Sequence, residues 1–332
     1  MSRLNPQDWK SFWNNATVTS MSGGHAEGYD AEILEFWESN ISGSYSHIID
    51  LACGNGALSW LVDNTCNREL QTTQITGVDF SDITPFRTLN RKPTDHPQIK
   101  FIGNTGIENL PFADQSIDMA ISQWGIEYAN TLDTVSELGR VLKHDAKICF
   151  LCHHEDSDIL SNSGMKIEKY RVMLNEKIHD RFLDLDSLYN SHANPKNAED
   201  DPSYSRVTGQ LNRALINVKI ALQRSEDPSR SIITDHIQEV GALFELPRNF
   251  HLKRRRKLIL NGLEDIHRTI GRYDDLAAAA LSSTEHKELI GMIEQQGFTV
   301  TRNSPLIHKG IGRRRPLGDV GIGIVASRGN ID

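Results

Sequence analysis

Residues 152–158 read Cys-His-His-Glu-Asp-Ser-Asp and follow directly on the apolar run Ile148–Leu151. Six of these seven side chains can ligate a metal or carry a proton. Side chains leaving a strand alternate between faces, so His153 and His154 do not converge on one ion without a bend. No second Cys/His cluster completes a zinc pattern, and no metal is expected. Proton transfer suits the stretch better. Histidine titrates near neutrality and can take the proton of an attacking hydroxyl. Cys149 and Cys152 resemble a redox pair, but within a strand they point to opposite faces and read as packed thiols.

A second chemical stretch is "IIDLACGNGALSWL" at 48–61, which reads as a strand, a tight turn and a helix start. Gly54 and Gly56 permit the turn and let a ligand approach bare backbone at the positive end of the new helix. Such a loop serves a dinucleotide or another adenosyl cofactor. Two details separate these. The third glycine of the dinucleotide pattern is replaced by Ser59, and Asp50 stands before the loop, where a pyrophosphate is poorly received. An acid there suits a cationic ammonium and sulfonium, as in S-adenosylmethionine. "ITGVDF" ends in Asp79 and Phe80; an acid at the tip of the next strand suits two ribose hydroxyls.

The elements that position these groups follow from pattern. "HIIDLA", "QITGVDF", "IKFIG", "IDMAISQW" and "AKICFLC" are short apolar runs separated by helical or turn-rich stretches. Strands buried on both faces of a parallel sheet read this way, and the alternation predicts a doubly wound α/β fold. Asp118, at the start of the fourth run, reads as structural. Pro111 and Phe112 are expected to pack under the sheet, with a turn over 114–116. After residue 154 the chain turns charged and helical, with amphipathic periods over 211–223 and 231–246 and a loop at 194–204. Strand patterns return at 298–307 and 319–328, after a helix ended by Gly297. The expected organisation is an N-terminal helical lid segment over 1–44, a core over 45–154, a helical insertion over 155–284 and the end of the core over 285–332.

Together, "IIDLACGNG", "ITGVDFSD", "GIENLPFADQSIDMAISQWGIEYA" and "ELGRVLKHDAKICFL" resemble the class I S-adenosylmethionine-dependent methyltransferases, over residues 45–152 plus the two last strands, about half the chain. The resemblance implies a Rossmann-like seven-stranded sheet of order 3-2-1-4-5-7-6 with the last strand antiparallel. It also implies methyl transfer from a sulfonium to a nucleophile. Two positions depart from the family pattern. Ala52 stands where glycine is usual, and Gly106 stands where an aspartate often holds the adenine amino group. Adenine recognition is then expected at Gly106, Ile107 or Asn104.

In that sheet the fourth and fifth strands are neighbours, so "SQWGIEY" (122–128) and "CHHEDS" (152–157) face the transferred methyl group. His154, further beyond the apolar run, is the first choice of base; His153 and Glu127 are the competing ones. Gln123 and Trp124 are expected to line the methionine end, and a tryptophan face supports a sulfonium. Ahead of the first strand, "GGHAEGYD" offers His25 and Tyr29 to the acceptor within a glycine-bearing segment that, by the resemblance, folds over the cofactor as a lid; His25 is a third candidate base.

Two basic runs, 251–257 with Arg254 and Arg255, and 312–316, stand out from a chain of net charge −8. Arginine forks suit carboxylate or phosphate, so the expected acceptor is a small molecule or glycan, an acidic sugar among them. RNA or protein acceptors and a non-catalytic scaffold are the alternatives. The acidic balance and the absence of interleaved aromatics argue against nucleic acid. The helical insertion is expected to roof the substrate or to support a homodimer. No apolar run approaches the length of a membrane span, and four cysteines in 332 residues fit a reduced, cytoplasmic protein.

Overall fold

A computed structural model describes residues 6–14, 17–20, 28–68, 72–192, 198–223, 230–245, 252–310 and 316–329. Seven strands form one sheet: β1 (His47–Leu51), β2 (Gln74–Val78), β3 (Ile99–Ile102), β4 (Ile117–Gln123), β5 (Leu142–Cys152), β6 (Thr299–His308) and β7 (Gly318–Ser327). Their order is β3-β2-β1-β4-β5-β7-β6, and β7 runs antiparallel to both neighbours. This is the order that the resemblance implied.

The central strands are apolar on consecutive positions because both faces of the sheet are covered. Ile49, Leu51, Ile148, Phe150 and Cys152 enter one buried cluster; Ile48, Met119, Cys149 and Leu151 enter another. Each fully buried side chain of this size contributes about 1.5–3 kcal/mol of transfer free energy. Cys149 and Cys152 thus lie on opposite faces, and all four cysteines are buried and unpaired.

β5 begins at Leu142, earlier than the apolar run at 146–152 predicted, because buried Leu142 pairs with Ile117 across an irregularity in the ladder. A second correction concerns the 110–112 turn. Phe112 packs against the core, but Pro111 is exposed. Arg140 holds this turn through the carbonyls of Leu110 and Phe112, which leaves the proline ring outward. Asp118 is structural: it accepts from the amides of Ser46 and His47 and from Lys143 Nζ.

Around the sheet lie α1 (Pro6–Trp13), α2 (Ala31–Ile41), α3 (Ala57–Arg68), the short α4 (Pro85–Thr88), α5 (Thr131–Val141), α6 (Asp158–Asn175), α7 (Ile178–Asn190), α8 (Tyr204–Gln223), α9 (Arg230–Ala242), α10 (Leu252–Ala279) and α11 (Ser283–Gln295). α11 opens with a reciprocal Ser282–Glu285 capping box and is followed by Gly297 at φ +83°.

The chain divides into two compact units, residues 1–161 with 274–332, and residues 162–273. Residues 155–161 and 274–284 therefore belong with the sheet. Backbone bonds of Leu281 to His153 and Glu155 make that join. The helical unit has its own core, including Met173, Phe182, Leu211, Val218 and Ile259. Among the described residues, no helix is long and apolar enough to cross a membrane.

Candidate functional site

Asp50 lies one residue before the end of β1, on the inside of the glycine turn. Its Oδ2 accepts from Ser59 N at 3.0 Å and Ser59 Oγ at 2.8 Å. Burial outweighs these bonds and pushes the carboxyl up to about 7. The turn itself is wound left-handed, with φ +53° at Ala52, +53° at Gly54 and +80° at Gly56. A non-glycine residue in this region costs about 1–2 kcal/mol, which explains why glycine is the usual residue where Ala52 stands. A Cβ on Gly54 would strike the Trp13 indole, and one on Gly56 would strike Phe101. Asn55 fixes this arrangement: its amide donates to the carbonyls of Trp13 and Thr17, clamping the N-terminal segment onto the turn.

Asp79 follows β2. Its Oδ2 accepts from Gly54 N and its Oδ1 from Ser81 N, both at 2.8 Å, so one carboxylate ties the two strand tips together. Burial raises its pKa against the pull of these donors. Phe80 beside it is 51% exposed, although most large apolar side chains of this unit are buried. That exposed ring lines a cavity of about 600 Å³, within the roughly 300–1,000 Å³ range of small-molecule sites. The wall also includes Ala52, Asp79, Ser81, Gly106, Ile107 and Glu108.

The remaining wall is aromatic, formed by Trp9, Trp13, Trp124 and Tyr128, with Gly125, Ala129 and Asn130 between them. Trp9 stacks on Trp13 one turn along α1, meets Tyr128 edge-on at 5.7 Å, and donates its indole N–H to Asp275. Asn130 caps α5 by accepting from the amides of Leu132 and Asp133. Trp124 has φ +54°, an uncommon conformation for a bulky residue. Three contacts hold it: its amide donates to Leu151 O, its indole N–H donates to Val320 O, and its ring lies on His153. Gly125 follows because a Cβ there would strike Ala52 and Ser122.

The exits of β4 and β5 meet behind this wall. Glu127 Oε1 accepts from His153 N at 2.7 Å, while Oε2 is buried without a partner. Burial pushes Glu127 up to about 7. His153 is buried, its Nδ1 also has no partner, and burial pushes it down to about 3, so it stays neutral. His154 turns the other way, with its Nε2 3.1 Å from Asp319 Oδ1 on β7. Gln123 Oε1 accepts from Trp37 Nε1, and Gln123 Nε2 is buried without a partner.

The structure thus gathers Ala52, Asp79, Phe80, Gly106, Ile107 and Trp124 on one cavity wall, with Glu127 and His153 directly behind Trp124 and Tyr128. Tyr29 packs against the apolar cluster under β1, and burial with the nearby Asp50 charge raises its phenol well above the ordinary value. Arg255 belongs to the helical unit, where it pairs with fully buried Asp186 and covers Phe244; Arg254 is exposed on the same helix. Neither lines this cavity. His25 and the arginines at 313–315 lie outside the described residues. The sequence does not point to Trp9, Trp13, Ser81, Ala129 or Asn130 as wall residues. Trp9 and Trp13, four residues apart on α1, share a helix face, but their spacing does not say what that face covers.

Residues 48–145 match the family model described as a methyltransferase domain. No curated protein matches the chain. Among solved structures, the chain is similar to geranyl diphosphate C-methyltransferase from Streptomyces coelicolor A3(2), solved with Mg2+, geranyl diphosphate and S-adenosyl-L-homocysteine. The identity is 16%, coverage is 45% of this chain and 64% of that one, and the TM-score is 0.33. It is also similar to a protein from Pyrococcus horikoshii OT3, at 21% identity, with 41% of this chain and 62% of that one covered and a TM-score of 0.32. The chain spans less than two thirds of the length of either structure. With its 3-2-1-4-5-7-6 sheet and the matched segment inside it, the chain carries a class I S-adenosylmethionine-dependent methyltransferase domain.

Proposed function

We propose that the protein transfers a methyl group from S-adenosylmethionine to an oxygen of a small, flat acceptor, with Glu127 taking the acceptor's proton. The residues fit the cofactor. Exposed Phe80 offers a face for a planar base, and Gly106 and Ile107 line the same cavity. Asp79 is a carboxylate on the cavity wall suited to two ribose hydroxyls, and Asp50 is an acid that a cation would ionise. The unpartnered Gln123 amide is a spare donor for a carboxylate. When bound, the cofactor supplies an electrophilic methyl on sulfur. Everything else falls to the protein's own groups.

One observation carries the assignment of the base. Glu127 lies just behind the wall, in the segment between the wall residues Gly125 and Tyr128, with one carboxylate oxygen unpaired and an affinity for protons near neutrality. A base is most effective when its pKa lies near the working pH. His153 supports it by donating its backbone N–H to the other oxygen. The sequence reading preferred His154, but its Nε2 faces Asp319, and His153 is covered by the Trp124 ring.

The aromatic wall favours a flat acceptor over an acidic sugar: among the described residues, the lining includes Glu108 and Asp79 but no Lys or Arg. A transfer screen with methyl-labelled cofactor tests this, across phenolic small molecules, acidic sugars, nucleotides and RNA. Label on a phenolic oxygen is the expected result. Label only on acidic sugars or RNA restores those acceptors, and cofactor binding with no transfer to any class supports the scaffold reading.

A further inference from the structure

The cavity wall carries one acid and a set of aromatic rings beyond the groups assigned to the cofactor. Asp79 and Asp50 are the acids assigned to its ribose and its cation. Glu108 is a third. Its Oε1 accepts from Asn130 N at 3.2 Å, and its Oε2 lies over bare Gly106, where a Cβ would stand 2.8 Å from it. The carboxylate is thereby fixed on the wall, half-buried. Among the described residues, no Lys or Arg joins the lining. Lys10, next to Trp9 on α1, is held instead by Asp82 at 2.7 Å.

The rings form a corner of the same cavity. Trp9 and Tyr128 meet with planes 84° apart and centroids 5.7 Å apart, and Trp13 stacks on Trp9 at 6.3 Å. A cation is attracted to such faces because the ring quadrupole is negative above the plane. Two buried acids strengthen the effect. Trp9 donates its indole N–H to Asp275, which polarises the ring and leaves its face richer in electrons. Burial raises the Tyr128 phenol well above its ordinary value, and the charges of Glu127 and Asp275 raise it further, so this ring stays neutral in a negative field.

We propose that the cavity takes a flat phenol that also carries an ammonium group, with the cation held against Trp9 and Tyr128 and Glu108 as its counter-charge. This rests on the proposed transfer to oxygen and names the class of acceptor. An anionic acceptor would meet Glu108 and Asp79 with no base in the described lining to receive it. A neutral phenol would use the rings and gain nothing from Glu108. The ammonium also serves the reaction. A cation near Glu127 favours its ionised form, which is the form that takes the phenol proton.

Tyramine and 4-propylphenol share a ring and nearly a shape, and differ in the charge at the end of the side chain. Calorimetry on the full chain, with S-adenosylhomocysteine present, measures the binding of each; methyl-labelled cofactor then measures transfer to each. Tyramine should bind at least about tenfold more tightly, and added salt should reduce the preference. Glu108→Gln keeps an acceptor for Asn130 N and should bring the preference to within about threefold. Trp9→Leu, checked by its melting temperature, should weaken tyramine more than 4-propylphenol, and Trp9→Phe should restore part of the loss. Equal binding of the two phenols, binding of neither, or an unchanged preference in folded Glu108→Gln overturns the proposal. Charge-dependent binding of tyramine with no label on its oxygen keeps the cation site and overturns the transfer to oxygen.

Discussion

The His153 imidazole lies flat against the Trp124 indole, with planes 4° apart and ring centroids 5.2 Å apart. This stack joins the exits of the two central strands and supports a tryptophan whose backbone is left-handed. His153→Ala opens a cavity under that ring. It should lower stability by about 2–4 kcal/mol, measured by denaturant unfolding. His153→Phe keeps the stack and removes a buried nitrogen that has no partner, so it should lie within about 1 kcal/mol of wild type.

Turnover should report Glu127. With its carboxyl near 7, the ionised base accumulates as pH rises, so the rate should climb through about pH 7 and then level off. Glu127→Gln should lose about 10²-fold or more in kcat while keeping cofactor affinity. His154→Ala should retain turnover within a few-fold. The reverse pattern would return the base to His154.

Cofactor binding should release a proton through Asp50. Burial holds this carboxyl near 7 in the free protein, and a cation beside it favours the ionised form. The bound-state pKa is then lower than the free one, and affinity falls as pH drops below about 7, by up to about tenfold per unit. Calorimetry in buffers of different ionisation enthalpy measures the proton. Asp50→Asn should bind weakly and without this pH dependence.

Asp79→Ala removes the acceptor of two buried amides, Gly54 N and Ser81 N. Each orphaned donor costs about 1–3 kcal/mol, and the cofactor's hydroxyl partner is lost as well. Binding should weaken by more than about tenfold in calorimetry. Unchanged affinity would remove Asp79 from the cofactor site.

Gly54→Ala tests the turn. It combines φ +53° with a collision against Trp13. The melting temperature should fall, and tryptophan fluorescence should shift as Trp13 is displaced.

Much of the fold was legible because a parallel sheet covered on both faces leaves unbroken apolar runs, and β1 to β5 each coincide with one. The places of Asp50, Gly54, Gly56 and Asp79 at the strand tips and turn were legible because a strand-turn-helix sets such residues at fixed positions along the chain. Other features were not. Pro111 and Phe112 are adjacent and both apolar, yet one is exposed and the other packed, because Arg140 sets the orientation of their turn.

The sequence by itself determined the element order, the sheet class and the loop that the strand tips present, since these depend on local period and turn chemistry. Only the tertiary structure decided which side chains meet. It set Trp13 over the glycine turn, directed His153 to Trp124 and His154 to Asp319, and gave Arg255 to Asp186. Those pairings join residues far apart in the chain, and their energy depends on burial and direction that no spacing along the sequence encodes.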